Sequence, residues 1–127
     1  MLNNKYKTPL YFTVLHAFIA AIWNVAGLIL ISKGESPLGP TASSAAIILM
    51  LILIVTYIIT LKKGYEKTFL IIAFLGAILG SVTIYGALTK EHTLWPSEFW
   101  RYAGIAVNAL AAIGFMLSLK IFFGKNK

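Results

Sequence analysis

A chain of 127 residues is long enough for one domain, and this one is 59% hydrophobic and 12% charged, against about a quarter charged in soluble domains, so its expected solvent is lipid. Its 11 Lys and Arg against 4 Asp and Glu give a formal charge of +7, but the cations fall mostly between apolar runs, which points to membrane topology and anionic headgroups rather than nucleic acid. The sequence has no cysteine, which excludes disulfides, thiolate catalysis and Cys-ligated metal.

Charged residues punctuate the chain into four stretches. None occurs from Thr8 to Ser32, and further uncharged stretches lie between Glu35 and Lys62, Lys67 and Lys90, and Arg101 and Lys120. A helix needs about 20 apolar residues to cross a bilayer core. The expected fold is therefore all-α: a single transmembrane domain over 1–127, with spans at about 10–32, 43–61, 68–88 and 98–123. Lys120 sits near a helix end, where it can snorkel to the headgroups. The apolar run after Lys5 and Lys7 is too long for a signal-peptide core and no A-x-A-like site follows it, so it reads as a retained first helix.

The connections are short, with Pro37, Gly39 and Pro40 in the first and Gly64 in the second. Short connections favour antiparallel neighbours, hence an up-down-up-down bundle. Lys5, Lys7, Lys62, Lys63, Lys67, Lys120, Lys125 and Lys127 then share one side, and Lys33, Lys90 and Arg101 the other. The positive-inside rule puts the first set, and with it both termini, in the cytoplasm of a cell (inner) membrane.

Small and polar residues mark the faces expected to pack. On the third span Ala73, Gly76, Ala77 and Gly80 recur at three- and four-residue steps, with a GxxxG pair that suits close helix approach within the bundle or in a dimer. The first span carries His16, Ala20, Asn24 and Gly27 along one arc, and the fourth carries Gly104, Asn108, Ala111, Phe115 and Ser118. With alternating spans, Asn24 and Asn108 are expected at similar depth and able to pair. His16, Thr56, Thr60 and Ser118 are expected in a second layer nearer the cytoplasm. Both layers read as interhelical hydrogen bonding or, alternatively, as a polar path. From Ile47 to Val55 the second span is large and apolar on every side and is expected to face lipid. Trp23, Asn24 and Gly27 form W-N-x-x-G, which resembles a run in the first span of some small four-span bacterial membrane proteins of little-known function; it implies nothing about activity.

Chemistry is sparse. No Asp or Glu lies inside a span, whereas proton-coupled transporters use intramembrane carboxylates or His relays. His16 and His92 fall at different depths and cannot share a haem iron. Ser97 and His92 lack a nucleophile-elbow motif, and there is no phosphate-binding glycine loop. The outer segment holds His92, Trp95, Glu98, Trp100 and Arg101. There the aromatics suit the membrane interface, Pro96 suits a first helical turn, and Glu98 and Arg101 are spaced to pair. A headgroup contact, or a metal held by Glu91, His92 and Glu98, is the alternative. The expected function is non-enzymatic, without cofactor or metal: association in the bilayer as a homo-oligomer or accessory subunit of a larger complex. The alternative is a small transporter or channel component whose path is lined by His16, Asn24 and Asn108.

Overall fold

The structure is a computed structural model that describes residues 2–124; Lys125 and Lys127, two of the cations behind the charge asymmetry, lie outside the described residues. Four helices dominate it: α1 (Lys7–Ser32), α2 (Ser44–Lys62), α3 (Glu66–Thr89) and α4 (Glu98–Gly124). All four are long and apolar enough to cross a membrane, and there is no strand among the described residues. Short 3₁₀ turns precede α1 (Asn4–Tyr6) and α4 (His92–Leu94).

The helix ends follow local chemistry. Lys33 and Lys63 are succeeded by Gly34 and Gly64, at φ +77° and +75°, a left-handed conformation that glycine enters without a Cβ clash. Behind each, the chain closes a Schellman pair: Glu35 N–H donates to Leu30 O at 2.9 Å and Tyr65 N–H to Thr60 O at 2.7 Å. Ser43 caps α2, its Oγ accepting from Ala46 N–H at 3.1 Å. Pro96 stands two residues ahead of α4, not in its first turn, and Arg101 N–H reaches back to Ser97 O at 3.3 Å.

The packing forms a ring. α3 and α4 share the most extensive contact, α1 packs on both α2 and α4, and α2 meets α3 far more sparingly. Three glycines set the close approaches to backbone or short side chains. A Cβ on Gly27 would stand 2.6 Å from Ala42 Cβ, one on Gly114 2.7 Å from Thr13 Cγ2, and one on Gly80 2.8 Å from the backbone oxygen of Asn108. Without a driving force from lipid, small residues of this kind let helices approach closely enough to gain dispersion energy. The α3 stripe is buried at Ala73, Gly76, Ala77 and Gly80. Gly76 faces the Tyr57 hydroxyl of α2, and Gly80 faces Asn108 and Ala111 of α4, so its glycines meet partners within this chain.

At one end of the ring, Tyr6, Tyr57, Leu61, Phe69 and Ala73 form a buried cluster. Phe69 stands edge-on to Tyr6 and Tyr57, with ring centres 5.9 and 5.6 Å apart. Asn3 Nδ2 and the Tyr6 hydroxyl both donate to Glu66, at 3.2 and 3.5 Å, tying the start of the chain to the first turn of α3. Outward, every helix leaves large apolar side chains uncovered, among them Phe18, Ile52, Val82 and Met116. On α2 the exposed set is Ile48, Leu49, Leu51, Ile52, Val55 and Ile59, an apolar surface far too continuous for a protein bathed in water.

A candidate binding cavity

The bundle is closed at the Tyr6–Phe69 end and hollow at the other. A cavity of about 340 Å³ runs from the α1–α2 and α3–α4 connections down to His16 and Asn108. His16, Asn24 and Asn108 all line it, together with Trp23, Trp95, Lys90 and Arg101. Of the polar residues expected on the bundle's inner faces, Thr56 and Ser118 lie elsewhere. Their hydroxyls donate to carbonyls one turn back on their own helices, Ile52 O and Gly114 O, each at 2.7 Å. They satisfy themselves locally and do not bond across helices.

The two asparagines do not pair with each other. Asn108 Nδ2 donates to Gly104 O at 2.8 Å, which turns Oδ1 toward α1, where it lies 3.3 Å from His16 Nε2. An amide oxygen only accepts, so His16 Nε2 carries the proton and donates. Asn24 Nδ2 donates to Ala20 O at 2.9 Å, and Oδ1 accepts from the backbone N–H of Ser43 at 3.1 Å. The expected asparagine pair fails on register: Gly104 packs on Trp23, and Gly114 on Thr13, which sets Asn108 level with Ile19, nearer to His16 than to Asn24 along α1. Asn24 therefore pins the cap of α2 to α1. Asn24→Leu should lower stability by about 1 kcal/mol, the worth of one hydrogen bond, whereas Asn24→Gln keeps a neutral amide with both acceptor and donor and should cost less. Thermal unfolding of the two variants in detergent checks this; equal losses would refute the tether.

The far end carries three tryptophans. Trp95 is buried, not set out in an interfacial belt. It folds over Gly39, a position on the α1–α2 connection that lacks a side chain. A Cβ on Gly39 would stand 3.4 Å from Trp95 Nε1 and 3.7 Å from Trp23 Nε1, so both indole N–H groups converge beside it. Trp100 packs edge-on against Trp23, centres 5.6 Å apart.

Arg101 is also buried, at 4% exposure, although the sequence reads it as an interfacial cation. Nη1 donates to Ala87 O at 3.1 Å, a carbonyl in the last turn of α3, where a cation complements the helix dipole. Nε donates to both Glu98 oxygens at 3.2 Å, and Nη2 approaches Oε2 at 2.6 Å. Its guanidinium carbon stands 4.4 Å from the centre of the Tyr102 ring. His92 Nδ1 meets Glu98 Oε1 at 3.0 Å. Glu91 does not join them: among the described residues no three His, Cys, Asp or Glu side chains converge as a metal site would require.

Three contributors escape a reading of the sequence. Lys90 enters there only as a unit of charge, Gly39 as a helix breaker, and Thr83 not at all, yet each lines the cavity. Thr83 sits at a four-residue step from Leu79 and Ala87, a spacing that could have drawn attention to it. No protein-family model, curated protein or solved structure matches the chain.

Proposed function

We propose that the chain is a multi-pass cell-membrane protein that holds a small ligand in this cavity, as a small transporter or channel component. The observation that carries the reading is the gathering of His16, Asn24 and Asn108, with Trp23, Trp95 and Arg101, around one hollow. Convergent polar groups in a largely apolar concavity are the usual mark of a small-molecule site. In this reading the helices alternate in direction, and both ends of the chain lie in the cytoplasm. Its support is the short connections, the pairing of early α1 with late α4 (Thr13 with Gly114) and of late α1 with the segment just ahead of α2 (Gly27 with Ala42), and the excess of lysine in the termini and the α2–α3 connection. The cavity then opens outward. Asn108 lies about ten residues into α4, or about 15 Å at 1.5 Å per residue, which places the floor near the middle of a core of about 30 Å.

Association with a second copy or with a larger membrane complex is the other reading. The uncovered apolar face of α2 favours it, being the surface on which another helix would lie. The cavity carries the ligand reading further, because lipid accounts equally well for that face.

Single-cysteine labelling tests the proposal cleanly, since the native chain has no cysteine. In intact cells a membrane-impermeant thiol reagent should label His92→Cys at once and Lys63→Cys only after permeabilisation. Val107→Cys, on the cavity wall, should also label from outside, while Ile113→Cys, deeper on α4 and turned outward, should stay protected. Protection of Val107→Cys would remove the cavity reading, and labelling of Lys63→Cys from outside would reverse the orientation.

A further inference from the structure

We infer that the cavity takes the headgroup of an anionic amphiphile, and that this lipid enters sideways through a gap between α2 and α3. The inference rests on the cavity reading above and adds the ligand's chemical class and its route.

Charge gives the class. Lys90 and Arg101 line the cavity, and no carboxylate does. Glu98 spends its oxygens on Arg101 and His92, whereas Lys90 forms no ion pair among the described residues. The hydrogen-bonding groups point the same way. The amide oxygens of Asn24 and Asn108 are already taken by Ser43 N–H and His16. Among the amide, indole and ammonium side chains the groups left open are donors. Neither Trp95 Nε1–H nor Trp23 Nε1–H has an acceptor among the described residues, although Trp95 is only 8% exposed. Neither indole nitrogen is fully buried, because every fully buried side-chain nitrogen or oxygen has a partner. Two indole donors and an ammonium without an acceptor among them suit phosphate or carboxylate oxygens.

Shape gives the route. The α2–α3 seam is the loosest in the ring. Its described side-chain contacts, Tyr57 with Gly76 and Phe69, lie at the closed end. Toward the open end the seam is walled by Ala46 and Met50 on one side and by Leu79, Val82 and Thr83 on the other. Leu79 and Val82 line the cavity and are still 44% and 64% exposed, so the wall is open to the surroundings there. A cavity of about 340 Å³ lies at the lower end of small-molecule pockets, about 300–1,000 Å³. It suits a headgroup, with the acyl chains leaving through the apolar gap.

Tryptophan quenching tests the proposal, since two of the three tryptophans line the cavity. The whole protein is reconstituted in phosphatidylcholine containing either chain-brominated phosphatidylglycerol or chain-brominated phosphatidylcholine at equal mole fraction. The expected result is quenching by brominated phosphatidylglycerol at several-fold lower mole fraction than by brominated phosphatidylcholine. Lys90→Gln should abolish that preference, and Lys33→Gln, which removes the same charge from the same end of the bundle, should retain it. Ala46→Phe, which narrows the gap, should weaken it. Inorganic phosphate at millimolar concentration should not compete. Equal quenching by the two lipids, or equal loss in the two lysine variants, would overturn the anionic class. Competition by inorganic phosphate would show a free anion as the ligand and overturn the lipid route, as would an Ala46→Phe variant that quenches like wild type. If Val107→Cys still labels from outside in any of these cases, the ligand class or route has failed while the cavity stands. If it does not label, the underlying reading has failed.

Discussion

Gly80→Leu is expected to cost about 1–3 kcal/mol or more, the range for forcing extra methylenes into a packed interior. The obstacle is backbone: the first added carbon would stand 2.8 Å from Asn108 O and 3.4 Å from Ala111 Cβ, and a carbonyl in mid-helix cannot rotate aside as a side-chain tip would. α4 must move off α3, opening the most extensive helix contact in the bundle. Because the obstructing residue is Asn108, the same displacement should loosen its bond to His16 and alter reagent access at Val107→Cys. Thermal unfolding in detergent measures the loss, with Ile71→Leu on the exposed face of α3 as a neutral comparison. A wild-type melting temperature for Gly80→Leu would refute the α3–α4 packing. Loss of an oligomer in this variant would not by itself locate an interface between copies, since the glycine already has a partner within the chain.

Much of the fold is legible because charge is expensive in a bilayer core and cannot be hidden by tertiary context. The four uncharged stretches, and Gly64 closing α2, follow from that rule and from the left-handed conformation a helix stop favours. The small-residue stripe on α3 and the polar arcs on α1 and α4 follow from helical periodicity. Periodicity gives a residue's face but not its height against a neighbour. The opposite directions of the first and fourth spans predict Asn24 and Asn108 at similar depth and able to pair. The register is set instead by where two helices can approach, at Gly114 against Thr13 and Gly104 against Trp23, which brings Asn108 nearer to His16 than to Asn24.

The outer connections were the least legible part. Trp95 and Arg101 carry the side chains typical of a membrane interface, and composition alone assigns them there. Trp95 turns inward because Gly39 leaves room for the indole. Arg101 turns inward because the last turn of α3 presents the Ala87 carbonyl beside it. Both causes are tertiary and involve residues more than ten positions away. The loose α2–α3 seam is signalled only by the unbroken run of large apolar residues from Ile47 to Val55, which offers no small residue for close approach. It follows from what α2 lacks: its buried residues are Tyr57, Thr60 and Leu61, all near its end, so nothing earlier on that helix draws α3 toward it.

Arg101→Met should weaken the protein more than Glu98→Gln does, and the order of the two carries the test. Arg101 links three things: the last turn of α3 through Ala87 O, the first turn of α4 through Glu98, and the cavity wall. Methionine keeps much of the stem's apolar packing but removes every donor, leaving a carbonyl at the end of α3 without its cation. Glu98→Gln removes only the carboxylate's charge. The guanidinium can still reach Ala87 O and can still donate to the amide oxygen, and half of the Glu98 side chain already faces solvent, where a lost ion pair counts for little. Arg101→Lys should fall between the two, since an ammonium can hold Ala87 O but cannot span both helices with a planar fork. Thermal unfolding at low and high salt checks the ranking. A pair stabilised mainly by exposed charge would lose its advantage at high salt, and Glu98→Gln would then match wild type, while the deficit of Arg101→Met should persist. If Glu98→Gln proves as damaging as Arg101→Met in high salt, the arginine serves its carboxylate partner and not the end of α3.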